Sequence, residues 1–370
     1  MEKNFRKILV ILGISLVLNG NSSLLNAVQQ AKQTLSPEHT SEVAESPQSS
    51  EQLSADELKE LISKAENGSS QDQYDLAKLH IDGRGVPQSD TEAATWLRKA
   101  AEQGHVEAQR SLGAMYVAGR GVPQDYAEAV NWLLKAATQG NATAQTNLGA
   151  MYATGRGVPQ DYVEAVNWYR KAADQGDAVG QMNLGGMYLN GLSVQQNLTE
   201  GVNWYRKAAN QGYAMAQYSL GTLYVEGVGV RRNLSEAANW YRKSADQGFA
   251  MAQHSLGMMY INGQGVRRND AEAANWLRKA ADQGFAAAQS DLGVMYANGR
   301  GVPQDYAEAI SWYRKAADQG YASGQSNLGG MYATGRGATQ NLEEAINWWR
   351  KAAEQGFPEA VKNLDMLKGK

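Results

Sequence analysis

The sequence predicts an all-α protein, a right-handed α/α solenoid built from helix-turn-helix repeats with a 36-residue period. Three observations lead there. Tryptophan recurs at Trp96, Trp132, Trp168, Trp204, Trp240, Trp276, Trp312 and Trp348, each 36 residues after the last. Glycine keeps the same step of 36 from Gly68 through Gly104 and Gly140 to Gly356. Between these marks the apolar residues fall at helical spacing. The whole chain has 370 residues, 43% of them hydrophobic, enough for a packed fold.

The charge balance is 35 Lys+Arg against 38 Asp+Glu, a formal net charge of −3. That balance argues against a nucleic-acid binder held by general basic attraction. The chain has no cysteine. A disulfide framework, a thiolate metal site, a cysteine nucleophile and a lipid anchor on an N-terminal Cys are therefore excluded. Only four histidines occur, His39, His80, His105 and His254, and no two have metal-ligand spacing.

From the N-terminus, Lys3, Arg6 and Lys7 precede an apolar run from Ile8 to Leu18, followed by Gly20, Ser22 and Ala27. This three-part layout predicts a secretory signal peptide over residues 1–27, cleaved after Ser22 or Ala27. The apolar run has 11 residues, whereas a spanning helix needs about 20. The mature chain is thus expected to be exported, periplasmic or secreted, with no integral membrane span. Residues 28–53 are rich in Gln, Ser, Glu and Pro and lack an apolar period, so they predict a disordered polar linker.

A half-repeat helix is expected over 54–68, then eight repeats over 69–104, 105–140, 141–176, 177–212, 213–248, 249–284, 285–320 and 321–356, then a capping helix over 357–370. In the unit 105–140, Ala108, Leu112, Met115 and Tyr116 share one helix face. Gly119 ends that helix by accepting positive φ. Asp125 starts the second helix, and Glu128 three residues on predicts a capping box. The same pair recurs in every unit, from Ser89 with Glu92 to Asn341 with Glu344. Ala129, Trp132, Leu133, Ala136 and Ala137 form the apolar stripe of the second helix, which Gly140 ends. One hairpin cannot bury its own apolar face, but a stack can.

The run Ala108-Gln109-x-x-Leu112-Gly113-x-x-Tyr116-x-x-Gly119-Arg120-Gly121-Val122, continued by Ala129-x-x-Trp132-x-x-Lys135-Ala136-Ala137-x-Gln139-Gly140, resembles the Sel-one-like repeat (SLR) family, a relative of the tetratricopeptide repeats. The resemblance covers residues 69–356. It implies an α/α solenoid that serves as a protein-protein interaction adaptor, in bacteria often exported and tied to envelope processes, signalling or host contact. It brings no shared catalytic residues. Departures are local. Ala77 and His80 replace Gly and Tyr in the first unit, and Leu192, Ser193 and Gly201 depart in the fourth, whose loop is expected to be looser.

Gly-Arg-Gly at 83–85 and in four later units lacks the preceding strand that a phosphate loop needs, so it reads as helix termination. The column from Gln73 to Gln325 reads as buried amides bonded to neighbouring loops. Six of the 12 methionines share one column and read as packing. No Ser-x-x-Lys, Gly-x-Ser-x-Gly or His-Glu-x-x-His occurs, and the chain offers no constellation for acid-base chemistry. No enzyme, cofactor or metal is expected.

What does not recur is more informative. The first helix of each unit lines the concave groove in related repeats. Its outward positions carry large apolar and aromatic side chains in units four to six, namely Met182, Leu189, Tyr218, Val225, His254, Met258 and Ile261, with Thr222 among them. An exposed apolar patch of this kind marks a partner site. Arg231-Arg232 and Arg267-Arg268 replace Pro-Gln in two loops 36 residues apart, which predicts a four-Arg rim for an acidic partner segment or an anionic envelope polymer. The reading is an exported, non-catalytic adaptor of the bacterial envelope or of host contact. The alternative is a peptidoglycan- or polysaccharide-binding envelope factor, with a cell-wall hydrolase behind it. Tyr218, Phe249 and Phe285 leave room for a glycan.

Overall fold

The computed structural model describes residues 54–368. The expected signal peptide and linker lie outside them. The described residues form eighteen α-helices and no strand. A leading helix α1 (Ala55–Glu66) precedes eight hairpins. These are α2 (Ser70–Asp82) with α3 (Asp90–Glu102), α4 (Val106–Ala118) with α5 (Tyr126–Thr138), α6 (Ala142–Thr154) with α7 (Tyr162–Asp174), and α8 (Ala178–Asn190) with α9 (Leu198–Asn210). Then follow α10 (Ala214–Glu226) with α11 (Leu234–Asp246), α12 (Ala250–Asn262) with α13 (Asp270–Asp282), α14 (Ala286–Asn298) with α15 (Tyr306–Asp318), and α16 (Ala322–Thr334) with α17 (Leu342–Glu354). The last helix is α18 (Pro358–Lys368). The fold is an all-α solenoid, and within each hairpin the two helices pack on one another, as α4 on α5 and α14 on α15. The described chain divides into two units, 54–208 and 209–368.

Each hairpin follows from its sequence. The first helix ends on a glycine in the left-handed region, as at Gly119 with φ 70°. The second glycine of the loop serves a different need. A Cβ at Gly121 would stand 2.0 Å from the Asp90 carbonyl oxygen, and one at Gly301 2.0 Å from that of Asp270. At these two positions the loop presses on the start of the previous second helix, and glycine permits the approach. Ser193 fills this place in the fourth repeat, at φ 53°.

The second helices are capped, but by half of the expected box. Asp125 Oδ1 accepts from the Ala127 and Glu128 amides. The Asp125 N–H, however, donates to the Tyr116 carbonyl at 3.1 Å, and Asn341 N–H to Tyr332 at 2.9 Å. With that donor occupied, the glutamate has nothing to reach back to. The reciprocal box forms at Ser54 and Glu57, where the Glu57 carboxylate accepts from the Ser54 N–H at 2.8 Å.

The core is the one the periodicity marks. In the first unit Ala108, Leu112, Met115, Trp132 and Leu133 are buried together, and in the second Ala252, Leu256, Met259 and Trp276. A Lys three residues after each Trp of the 36-residue series lies over its indole, 3.5 Å away at Lys207 and 4.1 Å at Lys243. The helices within a hairpin approach closely because the glycine after the core Leu has no Cβ. At Gly293 a Cβ would be 2.6 Å from the Tyr313 ring.

Buried glutamines tie one hairpin to the next. Gln109 Nε2 donates to the Ala101 carbonyl at 3.0 Å, and Gln109 Oε1 accepts from Gln139 at 2.8 Å. Gln253 repeats both bonds with Ala245 and Gln283. The loop arginines add a second tie that varies with its target. Arg120 holds Asp90 through two bonds, the shorter 2.7 Å, whereas Arg156 lies over the Tyr126 ring at 5.6 Å.

The fourth repeat is not loosened. Leu192 and Val194 pack against the core of Ala165, Tyr169 and Met187. Gly201 is a seat for Leu189, whose Cγ would lie 2.7 Å from a Cβ there.

Candidate protein-binding face

The residues expected to line a groove divide on burial. Met182 is 2% exposed and Leu189 5%, so neither offers a contact surface. Leu189 is buried because it fills the space left by Gly201. Both belong to the first unit. Tyr218, Thr222, Val225, His254, Met258 and Ile261 belong to the second and are half-buried.

Within that unit the side chains differ in freedom. Tyr218 stacks on Tyr241 with ring centroids 5.4 Å apart and tilts against Phe249 at 5.4 Å. Burial pushes its phenol above the ordinary value, and hydrogen bonds with Ser255 and Thr222 oppose the shift. Thr222 Oγ1 also lies 3.1 Å from the Tyr241 hydroxyl. Val225 packs on the core around Tyr241, and Ile261 on that around Leu277. His254, Met258 and Ile261 follow one another at i, i+4 and i+7 of α12, a single stripe along its outer side.

A further column emerges at the N-caps of the first helices. In the first unit Ser69, His105, Asn141 and Asp177 cap with their side chains. In the second unit Tyr213, Phe249, Phe285 and Tyr321 stand there and make no side-chain cap bond. Phe249 and Phe285 instead meet a ring from the preceding hairpin. Phe285 meets His254 edge-on at 5.3 Å and 63°. His254 Nε2 is also 2.8 Å from Asp291 Oδ2. The capping preference of small polar residues made this column look structural in the first unit. Its turn to aromatics was the signal that outward helix positions alone missed.

The expected four-Arg rim is only partly free. All four arginines are exposed. Arg232 Nε donates to the Val225 carbonyl at 3.0 Å, the bond that Gln124 makes to Val117 in the second repeat. Arg268 is paired with Asp270 at 3.1 Å, and Arg300 shares that carboxylate at 3.2 Å. Arg231 and Arg267 make no hydrogen bond or ion pair among the described residues. Asp270 splits the patch because it starts α13 directly after the loop.

No group of three or more His, Asp or Glu among the described residues is placed to hold a metal ion. The Gly-Arg-Gly loops are used in helix termination and in inter-repeat contact. His80 sets Nδ1 3.2 Å from the Pro87 carbonyl, a structural place.

The Sel1 repeat pattern matches eight consecutive segments, 70–105, 106–141, 142–177, 178–213, 214–249, 250–285, 286–321 and 322–357. The chain belongs to the Sel1-repeat family. Sel1-repeat proteins generally mediate protein-protein interaction and are generally non-catalytic scaffolds. Among solved structures, the chain is 41% identical to c5321, a protective antigen of uropathogenic Escherichia coli with an SLR fold, covering 84% of this chain and 67% of that one at a TM-score of 0.73. It is 34% identical to a Sel1 repeat protein from Oxalobacter formigenes, covering 84% of this chain and 90% of that one at a TM-score of 0.61. No curated protein sequence matches the chain. No described helix is long and apolar enough to cross a membrane.

Proposed function

We infer that this Sel1-repeat protein is an exported, non-catalytic adaptor of the bacterial envelope or of host contact. It binds a segment of a partner protein along the first-helix face of residues 209–368. The observation that carries this reading is the stripe of His254, Met258 and Ile261 on α12, flanked by the half-buried aromatics Tyr218, Phe249 and Phe285. Half-buried apolar and aromatic side chains on a rigid helix give contact area at small entropy cost. Arg231 and Arg267 steer acidic parts of the partner toward the loops. Export is supported by the N-terminal order of basic, apolar and small residues. The protective-antigen relative is consistent with a role at the cell surface.

A glycan platform fits less well. The rings of Tyr218, Phe249 and Phe285 are engaged with their own neighbours rather than laid open as stacking faces.

Two measurements test the proposal. Fractionation of the producing cell should find the chain outside the cytoplasm and shortened at its N-terminus. Met258→Glu should abolish capture of the natural partner and leave helicity and unfolding midpoint unchanged. Tyr218→Ala is a poorer probe, because Tyr218 also supports Tyr241 and Phe249. Full capture by Met258→Glu would refute the site.

A further inference from the structure

The loops that join the two helices of a hairpin place their charges by rule. In repeats two, three and seven they read Gly-Arg-Gly-Val-Pro-Gln-Asp, at 119–125, 155–161 and 299–305. The arginine folds back on the residue 30 positions earlier. Arg120 takes Asp90, Arg300 takes Asp270, and Arg156 lies over the Tyr126 ring. The aspartate caps the helix that follows. Such a loop has no net charge, and the fold itself occupies its cation.

Repeats five and six break the rule at each of these places. Loops 227–233 and 263–269 read Gly-Val-Gly-Val-Arg-Arg-Asn and Gly-Gln-Gly-Val-Arg-Arg-Asn. Val228 and Gln264 stand where the folded-back arginine was, Asn233 and Asn269 where the aspartate was, and two arginines replace Pro-Gln. The stack does not need these arginines. Gln124, Gln160 and Gln304 each donate to the carbonyl seven residues earlier at 2.8 Å. Arg232 makes that bond with Nε alone, and its two Nη groups have no partner among the described residues. Arg231 and Arg267 are exposed and pair with nothing among them. Arg268 alone is neutralised, by Asp270, which Arg300 also holds. Glu226, at the end of α10, makes no ion pair among the described residues. The cation has thus moved from a place where the fold uses it to one where it is open, in two successive loops of a chain whose net charge is −3.

We infer that loops 227–233 and 263–269 seat a pair of carboxylates of the partner polypeptide, directly beyond an apolar stretch of the same segment that lies along α10 and α12. The inference rests on the reading of this face as protein-binding and adds the chemistry and direction of the segment. Val225 and Ile261 each stand two residues before the glycine that opens the loop, and the Val225 carbonyl itself holds Arg232. A chain that follows the stripe from His254 through Met258 to Ile261 therefore runs out onto the arginines. The guanidinium fork offers a carboxylate two N–H donors at once. Apolar contacts that end in cations suit a polypeptide, whereas a uniformly anionic polymer has nothing for the stripe.

The test uses the full chain and short capped leucine-rich peptides that end in Glu-Glu or in Gln-Gln, with polyphosphate as the anionic polymer. Methionine methyl signals report contact at Met258. The Glu-Glu peptide should bind about tenfold more tightly than the Gln-Gln peptide and shift the Met258 signal. The double variant Arg231→Gln, Arg267→Gln should abolish that preference and still fold, since Gln195 holds the same place in the fourth repeat. Equal binding of the two peptides with a shifted Met258 signal would overturn the carboxylate seat and leave the protein-binding face standing. A preference that survives in the double variant would also overturn it. Polyphosphate that binds through the two arginines more tightly than the Glu-Glu peptide, without moving Met258, would overturn the polypeptide as occupant. Failure of every peptide to move Met258 up to about 1 mM would sink both readings.

Discussion

Gly293→Ala sets two effects of opposite sign against each other. Alanine is the better helix former by about 1 kcal/mol, so an isolated α14 would gain. In the stack the new Cβ would meet Tyr313 Cε1 at 2.6 Å, Cδ1 at 2.7 Å and the Ala309 carbonyl oxygen at 3.2 Å. Carbon pairs rest at about 3.5–4.0 Å, so the two helices must part or the ring must turn. Tyr313 is 4% exposed and has little room to turn. Overpacking of this kind costs about 1–3 kcal/mol. The net expectation is a loss of up to about 2 kcal/mol, read as a lower urea midpoint by far-UV circular dichroism. Tyr313→Leu in the same chain should recover part of it, because Ala77 already faces a buried leucine, Leu97, in the first repeat. A gain of stability in the single variant would show that hairpin contact at this glycine is not the governing constraint.

Ser193→Gly should raise stability by about 1 kcal/mol, since Ser193 holds φ 53° where every other repeat places glycine. A lower unfolding midpoint would contradict that. Trp276→Phe should cost far less than the roughly 3–5 kcal/mol of Trp276→Ala, because the buried Trp276 Nε1 has no hydrogen-bond partner among the described residues. Equal losses would mean that the N–H is satisfied. The Asp270 carboxyl is held below its ordinary value, first by the hydrogen bond from Arg268 and then by that from Arg300. Its stabilisation is therefore present above the unfolded value, about pH 4, and is lost as pH falls through the lower folded value. Asp270→Asn should destabilise at pH 7, with the difference shrinking on acidification. A difference that grows in acid would reverse the assignment.

The hairpins were legible because each unit repeats its own instructions. Trp132, Leu112 and Ala108 mark the core, Gly119 and Gly140 the ends, and Asp125 the second start. Two kinds of information were not legible in one unit. The first is competition for a single atom. Asp125 and Glu128 have the spacing of a capping box, but the Tyr116 carbonyl takes the donor that the box needs. The second is compensation between columns. Leu189 read as an outward apolar residue and Gly201 as a weakness, whereas the leucine occupies the volume that the glycine leaves. The binding face was partly readable for the same reason. Outward helix positions identified the His254 and Met258 stripe. The aromatic N-caps were read only in part: Phe249 and Phe285 stood out as aromatics, but not as members of a column that caps helices with polar side chains in the first unit.

The claim that residues 209–368 grip a partner along their first helices is tested most directly by site-specific photocrosslinking in living cells. A photoreactive side chain at Met258 should give one discrete adduct, diminished by Ile261→Glu. The same group at Val163, which is 56% exposed on a second helix, should give none. Adducts of equal yield from both sites, or from Val163 alone, would contradict the account.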